Sequence, residues 1–399
     1  MSVPLDRLYH FLHDHCNHDV IIYHFYPHGS KKPNDVRVLD DVKDNINKFY
    51  LSLPVLMHDQ EPLNFSLWID IPDAFKIPGY LHSKLKNKVC KNSTYDTMIL
   101  VHSELQSSEV KKFEVDGAIP VYYWSHAVIA RDWFRYAEHD QLLLTKKSNK
   151  RFLIYNRAWQ GSREYRLKFA ELLLDNNLHT DCITSFSPLD GDKHYSEHNF
   201  SNIQFQLLRN DLEQHFVPNT AQSWASADYS TDDYQNTDIE VVLETLFDDS
   251  RLHITEKTLR ALAVGQPFIL CGTPGSLQYL RNYGFKTFDQ CWDESYDKIL
   301  DPLERLQCIV QLMNRVKTKD LTLARQIAQY NRQHFFSKNF FDYVINEFKE
   351  NFNAAALEAK KHQTAAYFLR NYNRSVYFRS SIPLEIYEYA LKIVADQSK

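Results

Sequence analysis

Short apolar runs alternate with amphipathic stretches over most of the chain. The runs are rich in β-branched and aromatic residues and stop at polar or turn-forming residues, which is the pattern of buried strands. Predicted strands cover residues 19–26, 51–57, 97–101, 119–124, 151–155, 182–186, 239–247 and 267–271. Helices are predicted at 1–18, 105–114, 163–174, 255–264 and 274–283, with a helical, charged segment at 127–150 and further helices beyond 302. The polar segment 187–236 is predicted to be irregular.

The alternation of strands and helices occurs in both halves of the chain. This predicts an α/β fold with two Rossmann-like, doubly wound domains. The charged run from Lys146 to Lys150 is the candidate linker between them. The predicted organisation is an N-terminal domain over residues 1–146, a second domain over 147–350 and a helical C-terminal extension over 351–399.

Every predicted strand of the first half ends in ionisable residues. In open parallel sheets, ligands bind outside the carboxyl ends of the strands, so these residues are expected to line one cleft. The alternative is that they are ordinary polar loop residues. The cleft candidates are His58, Asp59, His102, Glu104 and His126.

Composition, charge and the absence of certain motifs argue against several classes of function. Only 9 of 399 residues are glycine, against a usual share of about 7%, and neither G-x-G-x-x-G nor a Walker phosphate loop is present. The net charge of −5 argues against a protein devoted to nucleic acid, although it leaves room for a local basic groove. The six cysteines form no C-x-x-C pair, so zinc ribbons and thioredoxin-like chemistry are not expected.

The same sequence features predict a cytoplasmic protein. The first residues carry charges and histidines where a secretory signal needs an apolar run. No window approaches the ~18 apolar residues of a membrane span, and nothing suggests a disulfide framework.

The strongest candidate for chemistry is the segment that begins the predicted helix 255–264. Thr255 is a credible N-cap, and Glu256, Lys257 and Arg260 follow in the first turns. A helix start with unpaired N–H groups that also supplies Lys and Arg can receive a diphosphate. The alternative is a solvated helix face.

A second candidate follows the strand at 151–155. Asn156 and Arg157 stand at its carboxyl end, and Arg163 and Arg166 begin the next helix. Arginine suits bidentate phosphate contacts. The alternative is a set of surface salt bridges with neighbouring acids.

A third candidate is Glu61, which lies in a polar cluster after the strand at 51–57 and is followed by Pro62. A carboxylate at a strand end in a half-buried crevice can act as a general base, and the proline restrains its backbone direction. A turn-forming or capping acid is the alternative.

Two possible metal motifs carry less weight. Asp190 and Asp192 form a D-x-D that resembles a turn more than a metal site. His13, His15, Cys16 and His18 could ligate zinc, but no second ligand cluster stands at a usable spacing. No metal is therefore expected.

Two of these segments resemble a known family. The run Ile254–Lys257, followed by a helix and by Gln266–Ile269, is similar to the nucleotide-sugar signature of the alpha-1,3-fucosyltransferases. Glu61 followed by Pro62 is similar to that family's E-S-P segment, although the serine is absent here. Longer stretches resemble uncharacterised glycosyltransferases of tailed phages and bacteria; these are 123–126, 129–133 and 152–167.

The resemblance implies a GT-B fold, in which two domains face each other across a cleft. The second domain would hold a nucleotide sugar, with Glu256 on the ribose and Lys257 and Arg157 on the diphosphate. Glu61 would be the base that activates the acceptor hydroxyl. The implied activity is an inverting, metal-independent glycosyl transfer to a glycan, with the nucleotide sugar as co-substrate and no other cofactor, in the host cytoplasm if a phage encodes the chain.

Two alternatives stay open. The phage resemblance allows a hydroxylated base in DNA as acceptor, which requires a basic groove and base flipping. The candidate strip for that groove is Lys84, Lys86, Lys88 and Lys91, for which a solvated charged loop is the favoured interpretation. The second alternative is a non-catalytic protein that binds a nucleotide sugar on the same scaffold.

Overall fold

Two parallel β-sheets organise the part of the chain that the structure describes. The structure is a computed structural model, and it describes residues 21–25, 49–52, 98–115, 119–218 and 228–374. The chain divides into two compact units, with divisions between residues 125 and 126 and between residues 344 and 345. Residues 126–344 are called the five-strand unit below, and the described residues before and after them are called the four-strand unit.

The four-strand unit contains a sheet of order β2-β1-β3-β4 in which every neighbouring pair is parallel. Its elements are β1 (Ile21–Phe25), β2 (Phe49–Ser52), β3 (Met98–His102), α1 (Ser108–Val115) and β4 (Ile119–Tyr122). After β4, the backbone N–H of Tyr123 donates to the carbonyl of His102 at 3.1 Å. The Tyr123 ring packs against Phe348 of the last helix with 4.9 Å between ring centroids, so the C-terminal helix covers the end of β4.

The five-strand unit contains a parallel sheet of order β11-β10-β5-β6-β9. Its elements are α2 (Ser125–Trp133), β5 (Lys150–Asn156), α3 (Tyr165–Asp175), β6 (Cys182–Phe186), β7 (Leu189–Asp190), β8 (Lys193–His194), β9 (Val217–Pro218), α4 (Thr231–Asn236), β10 (Thr237–Leu243), α5 (Glu256–Val264), β11 (Phe268–Cys271), α6 (Ser276–Asn282), α7 (Pro302–Val316), α8 (Thr322–Phe336) and α9 (Lys338–Arg374). Helix α2 begins one residue before the division between the units, and α9 continues into the four-strand unit. Numbered within the unit, the strand order is 3-2-1-4-5, which is the order of a doubly wound sheet. The order reverses between β5 and β10.

Strand β10 lies at the centre of this unit's core. All seven of its residues are buried, including the charged ones. Helix α5 packs against it and stops at Gly265, which has φ +72°. A Cβ at Gly265 would lie 3.2 Å from the Arg332 side chain, so both the left-handed backbone and the close contact favour glycine there.

The unit boundaries differ from the domain limits predicted at 146/147 and 350/351. Residues 126–146 belong with the five-strand unit because their side chains bond to it. The Arg131 guanidinium donates to the carbonyls of Phe336 and Ser337 at 2.8 and 2.9 Å. The Lys146 ammonium donates to the Tyr234 carbonyl at 2.6 Å.

The structure confirms the α/β class and most predicted elements that fall within the described residues. The described residues of the segment 187–236 contain β7–β9, α4 and three short 3₁₀ helices, so the prediction of an irregular segment is confirmed only in part. The 3₁₀ helices are Tyr195–Glu197, Ile203–Phe205 and Leu212–Gln214. The predicted helix at 1–18 and the strand residues 53–57 lie outside the described residues. In the described ranges, no helix combines the length and the apolar character that crossing a membrane requires.

Candidate functional site

The carboxyl ends of β5 and β10 meet where the order of the five-strand sheet reverses. The two strands pair in parallel, so Asn156 at the end of β5 and Arg157 after it reach the same edge as Glu244 and Thr245 after β10. In doubly wound sheets, ligands bind in the crevice at this position. Two segments singled out in the sequence reach this edge, the arginine-rich segment after β5 and the run Thr255–Lys257, called the T-E-K segment below.

Helix α5 begins directly after Thr255. The Thr255 hydroxyl oxygen accepts a hydrogen bond from the backbone N–H of Lys257 at 3.5 Å, which confirms the predicted N-cap. Negative charge is favourable at this end of a helix because the N–H groups there lack helical partners.

The carboxylate of Glu244 already occupies the start of α5. Glu244 is fully buried, and it accepts from the backbone N–H of Thr255 at 3.0 Å and of Thr258 at 3.3 Å. It also accepts from both threonine hydroxyls at 2.6 Å. The N–H groups of Thr255, Lys257 and Thr258 are therefore satisfied within the protein, and most of the charge available to a ligand comes from side chains.

Glu244 is not among the site residues predicted from the sequence, because the pattern of 239–247 predicts an apolar strand. The available signal was a single acidic residue at the end of that strand, eleven residues before the T-E-K helix. Such a residue is ordinarily interpreted as a polar loop position, because its partners are distant in sequence.

Lys257 is largely buried and fully hydrogen-bonded. Its ammonium donates to the carboxylate of Glu256 at 2.8 Å and to the hydroxyls of Thr245 and Thr255 at 3.1 Å. Burial lowers the pKa of Lys257, and the negative charges of Glu256 and Glu244 oppose that shift. The side chain keeps 18% exposure, and its ammonium already donates to three protein oxygens, so Lys257 offers a ligand its charge rather than a free donor.

The arginines of the segment after β5 lie near one another. Arg166 is buried and donates to the carbonyls of Ala158 and Leu243 at 2.7 and 2.6 Å. Burial and the charge of Arg166 lower the pKa of Arg157. Burial, followed by the charge of Arg166, lowers the pKa of Arg163 to about 10.

Arg163 differs from its neighbours because its guanidinium makes no hydrogen bond or ion pair within the part of the chain that the structure describes. The predicted alternative, in which Arg163 pairs with neighbouring acids, is therefore not what the structure contains: Glu164 instead accepts from the backbone N–H groups of Ser201 and Asn202 at 2.8 and 2.6 Å. The charges of Asp190 and Glu256 act on Arg163 from farther away.

Four cations thus lie at one edge of the five-strand sheet. We call this set the cation cluster; its members are Arg157, Arg163, Arg166 and Lys257. Asn156 supports it, since its amide donates to the Arg166 carbonyl at 3.2 Å, and it is buried. Positive groups that repel one another make a receptor for an anion, above all where one of them, here Arg163, has no carboxylate partner among the described residues.

The D-x-D segment has a structural role at the same edge. One carboxylate oxygen of Asp190 accepts from the backbone N–H groups of Trp159 and Gln160 at 2.8 and 2.7 Å. Gly191, with φ +62°, turns the chain between β7 and β8. Among the described residues, no three His, Cys, Asp or Glu side chains are grouped so that they could hold a metal ion.

Arg260 does not join the cation cluster, contrary to expectation. It is buried, and its guanidinium donates to Glu240 at 2.8 Å and to the Tyr234 hydroxyl at 3.0 Å. The guanidinium also lies over the Tyr155 ring, 4.4 Å from the centroid. The reason is the helical period: Arg260 is one turn beyond Glu256 and meets the middle of β10 rather than its end.

The predicted cleft residues fall in different parts of the structure. His102 and Glu104 are buried in the four-strand unit. The His102 ring nitrogen Nδ1 lies 3.0 Å from the Glu104 carbonyl, and burial lowers the pKa of His102 to about 4.

His126 belongs to the five-strand unit. It is buried and meets the edge of the His253 ring with 4.7 Å between centroids, just before the T-E-K segment. His253 was not singled out in the sequence.

Several predicted residues lie outside the described residues. These are the proposed base Glu61, the cleft residues His58 and Asp59, the basic strip Lys84, Lys86, Lys88 and Lys91, and the rejected zinc cluster His13, His15, Cys16 and His18. Comparison of the chain with models of protein families, with curated protein sequences and with solved structures finds no significant match. The geometry of the cation cluster and its agreement with the T-E-K pattern are therefore what bears on function.

Proposed function

We propose that this protein is a glycosyltransferase that moves a sugar from a nucleoside-diphosphate sugar to an acceptor hydroxyl, with a glycan as the favoured acceptor class. In this proposal the two units form a GT-B arrangement in the cytoplasm. The five-strand unit binds the donor and the four-strand unit binds the acceptor. Transfer inverts the anomeric centre and needs no metal, because fixed cations take the place of Mg²⁺.

The observation that carries the proposal is Arg163, a cation without a carboxylate partner in the described structure. It lies with Arg157, Arg166 and Lys257 at the switch point of a doubly wound sheet. Holding these charges together costs free energy in the absence of a ligand, and a bound anion offsets that cost. A diphosphate carries enough negative charge and acceptor oxygens to contact several of these groups at once.

The residue roles follow from chemistry and from the T-E-K resemblance. Arg157 and Arg163 hold the diphosphate, and Lys257 adds its positive charge beside it. Together they stabilise the charge that develops on the diphosphate as the glycosidic bond breaks. Glu256 accepts from the ribose hydroxyls. Arg166, whose Nη1 and Nη2 atoms donate to backbone carbonyls, contributes its charge to the site rather than a direct contact.

The transfer is a single displacement. The acceptor oxygen forms a bond to the anomeric carbon while the bond from that carbon to the diphosphate oxygen breaks. The electron pair of the broken bond leaves with the nucleoside diphosphate, and the acceptor proton passes to the carboxylate of Glu61. Full turnover in Glu61→Gln would rule out this residue as the base.

Binding of the leaving group tests the donor site directly. Calorimetric titration of the wild-type chain with UDP, GDP, ADP, CMP and inorganic pyrophosphate should show that at least one diphosphate binds. Arg163→Gln should weaken that binding by about ten- to hundredfold, since a hydrogen bond to a charged group contributes roughly 1.5–3 kcal/mol. The thermal midpoint of the unliganded variant should not fall, because no ion pair is lost.

Arg209→Gln is the matched control. It removes one positive charge from the same unit, where the Arg209 guanidinium pairs with Asp211 at 2.6 Å, and it should leave diphosphate affinity unchanged. Absence of diphosphate binding by the wild type, or equal binding by Arg163→Gln, would overturn the donor site.

Turnover separates the enzyme from a binding protein. Incubation with the nucleotide sugar of the preferred base should release nucleoside diphosphate slowly by hydrolysis, and faster with an acceptor. Binding of a nucleotide sugar without any release over days would favour the non-catalytic alternative. Activity that strictly requires Mn²⁺ would contradict the metal-independent mechanism.

A further inference from the structure

We propose that Glu244 is a positioning residue, which sets the Lys257 ammonium and the start of α5 for the diphosphate. The inference rests on the proposed function and goes beyond it, because Glu244 touches neither donor nor acceptor in that scheme. Its carboxylate links the end of β10 to the start of α5.

The two oxygens of the Glu244 carboxylate divide the donors between them. Oε1 accepts from the Thr255 N–H at 3.0 Å and from the Thr258 N–H and hydroxyl at 3.3 and 2.6 Å. Oε2 accepts from the Thr255 hydroxyl at 2.6 Å and from the Thr245 N–H at 3.1 Å. Each oxygen therefore accepts at least one backbone N–H, which can only donate.

A hydroxyl relay connects Glu244 to Lys257. The Thr255 hydroxyl has one proton, and the carboxylate takes it. The lone pairs of that hydroxyl are then turned toward Lys257, where they accept from its ammonium at 3.1 Å and from its backbone N–H at 3.5 Å. The ammonium also donates to Thr245, whose backbone Glu244 holds. Loss of the carboxylate would release both hydroxyl partners of Lys257.

The charge of Glu244 acts on Lys257 as well. The groups that influence the lysine are Glu256 and Glu244, which raise its pKa, and Arg166, which lowers it together with burial. Without the Glu244 charge, the lysine would lose its proton at a lower pH. A ligand that requires the protonated ammonium would then dissociate at a lower pH.

The main chain of Glu244 contacts Arg166, an arginine of the cation cluster. Its carbonyl accepts from the Tyr165 hydroxyl at 2.6 Å and from the Arg166 guanidinium at 3.0 Å. Its N–H donates to the Cys271 carbonyl at 3.0 Å, which ties it to β11. One residue thus fixes the lysine through its side chain and an arginine through its backbone.

Glu244→Gln is the sharpest variant because it keeps the shape and removes one acceptor. Whichever way the amide is oriented, its NH₂ group would face a backbone N–H of Thr245 or Thr255. Glu240→Gln is the matched control. It changes another buried glutamate of the same strand, four residues earlier, whose partner is Arg260 rather than the cation cluster.

The experiment measures inorganic pyrophosphate binding by calorimetry from pH 6 to 10, at a temperature where circular dichroism shows every variant folded. Glu244→Gln should bind at least about tenfold more weakly at pH 7, and its binding should disappear at a lower pH than that of the wild type. Glu240→Gln should follow the wild-type affinity and pH profile even if its thermal midpoint falls. A purely structural role for Glu244 would lower the thermal midpoint without moving the pH profile.

A second pair of variants covers the case in which Glu244→Gln fails to fold. Thr255→Val removes the relay hydroxyl and Thr255→Ser retains it, so the valine variant should lose more affinity than the serine variant. Folded Glu244→Gln, or Thr255→Val, with wild-type affinity and pH profile would overturn the positioning role while leaving the proposed function intact. Absence of pyrophosphate and diphosphate binding by the wild type would instead overturn the proposed function, and the positioning role with it.

Discussion

The buried contacts of Arg260 make a prediction that separates a structural cation from a ligand-binding one. The Arg260 side chain is 5% exposed and that of its partner Glu240 is 1% exposed. Arg260→Met keeps most of the side-chain length and removes the charge. The Glu240 carboxylate would then stay buried, with the Tyr234 hydroxyl as its remaining hydrogen-bond donor, at 2.7 Å.

The expected loss of stability follows from the cost of an uncompensated buried charge. Breaking a buried ion pair by removing one partner costs about 3–5 kcal/mol. For a unit of this size, each kcal/mol moves the thermal midpoint by about 2–4 °C. The midpoint of Arg260→Met should therefore fall by roughly 6–20 °C. The double variant Arg260→Met with Glu240→Gln should recover much of that loss, because no unpaired charge remains.

The assay combines thermal unfolding of the two single variants and the double variant with pyrophosphate titration below every midpoint. Arg260→Met should bind pyrophosphate as the wild type does, since its guanidinium contacts Glu240, Tyr234 and Tyr155 and not the cation cluster. An Arg260→Met variant that unfolds at the wild-type temperature would refute the ion-pair argument. Loss of pyrophosphate affinity without loss of stability would return Arg260 to the donor site.

Two further predictions concern pH. Burial raises the pKa of Asp297 from 3.8 to about 7, while its carboxylate accepts the Leu277 N–H. The contribution of Asp297 to stability is therefore present below about pH 4 and is lost as the pH rises through 7. Asp297→Asn should flatten that part of a plot of thermal midpoint against pH, and identical plots for the variant and the wild type would contradict the assignment. Burial lowers the pKa of His102 from 6.5 to about 4. The contribution of His102 to stability is therefore present above about pH 6.5 and is lost as the pH falls through 4. A proton NMR titration should show the His102 ring still neutral at about pH 5.5, whereas a titration midpoint near 6.5 would place the ring in solvent.

The order of elements could be predicted because its signals are local. The predicted strand 151–155 is an apolar run that stops at the polar residue Asn156. Thr255 indicates a helix start because its hydroxyl can accept from a backbone N–H of the first turn. These patterns involve neighbours within one or two turns of the chain. They give the α/β class and the start of α5, and they bring Lys257 and the arginines after β5 to candidate status.

The partners of each charged side chain depend on contacts between residues that are far apart in the sequence. Arg260 and Lys257 look equivalent along the chain, yet one pairs with Glu240 in the core and the other stays at the edge of the sheet. Glu244 has no distinguishing local pattern, and its role follows from the parallel pairing of β10 with β5 and from the packing of α5 on that sheet. Periodicity specifies which face a residue occupies, whereas burial and ion pairing depend on which other element covers that face, and the folded chain alone establishes that.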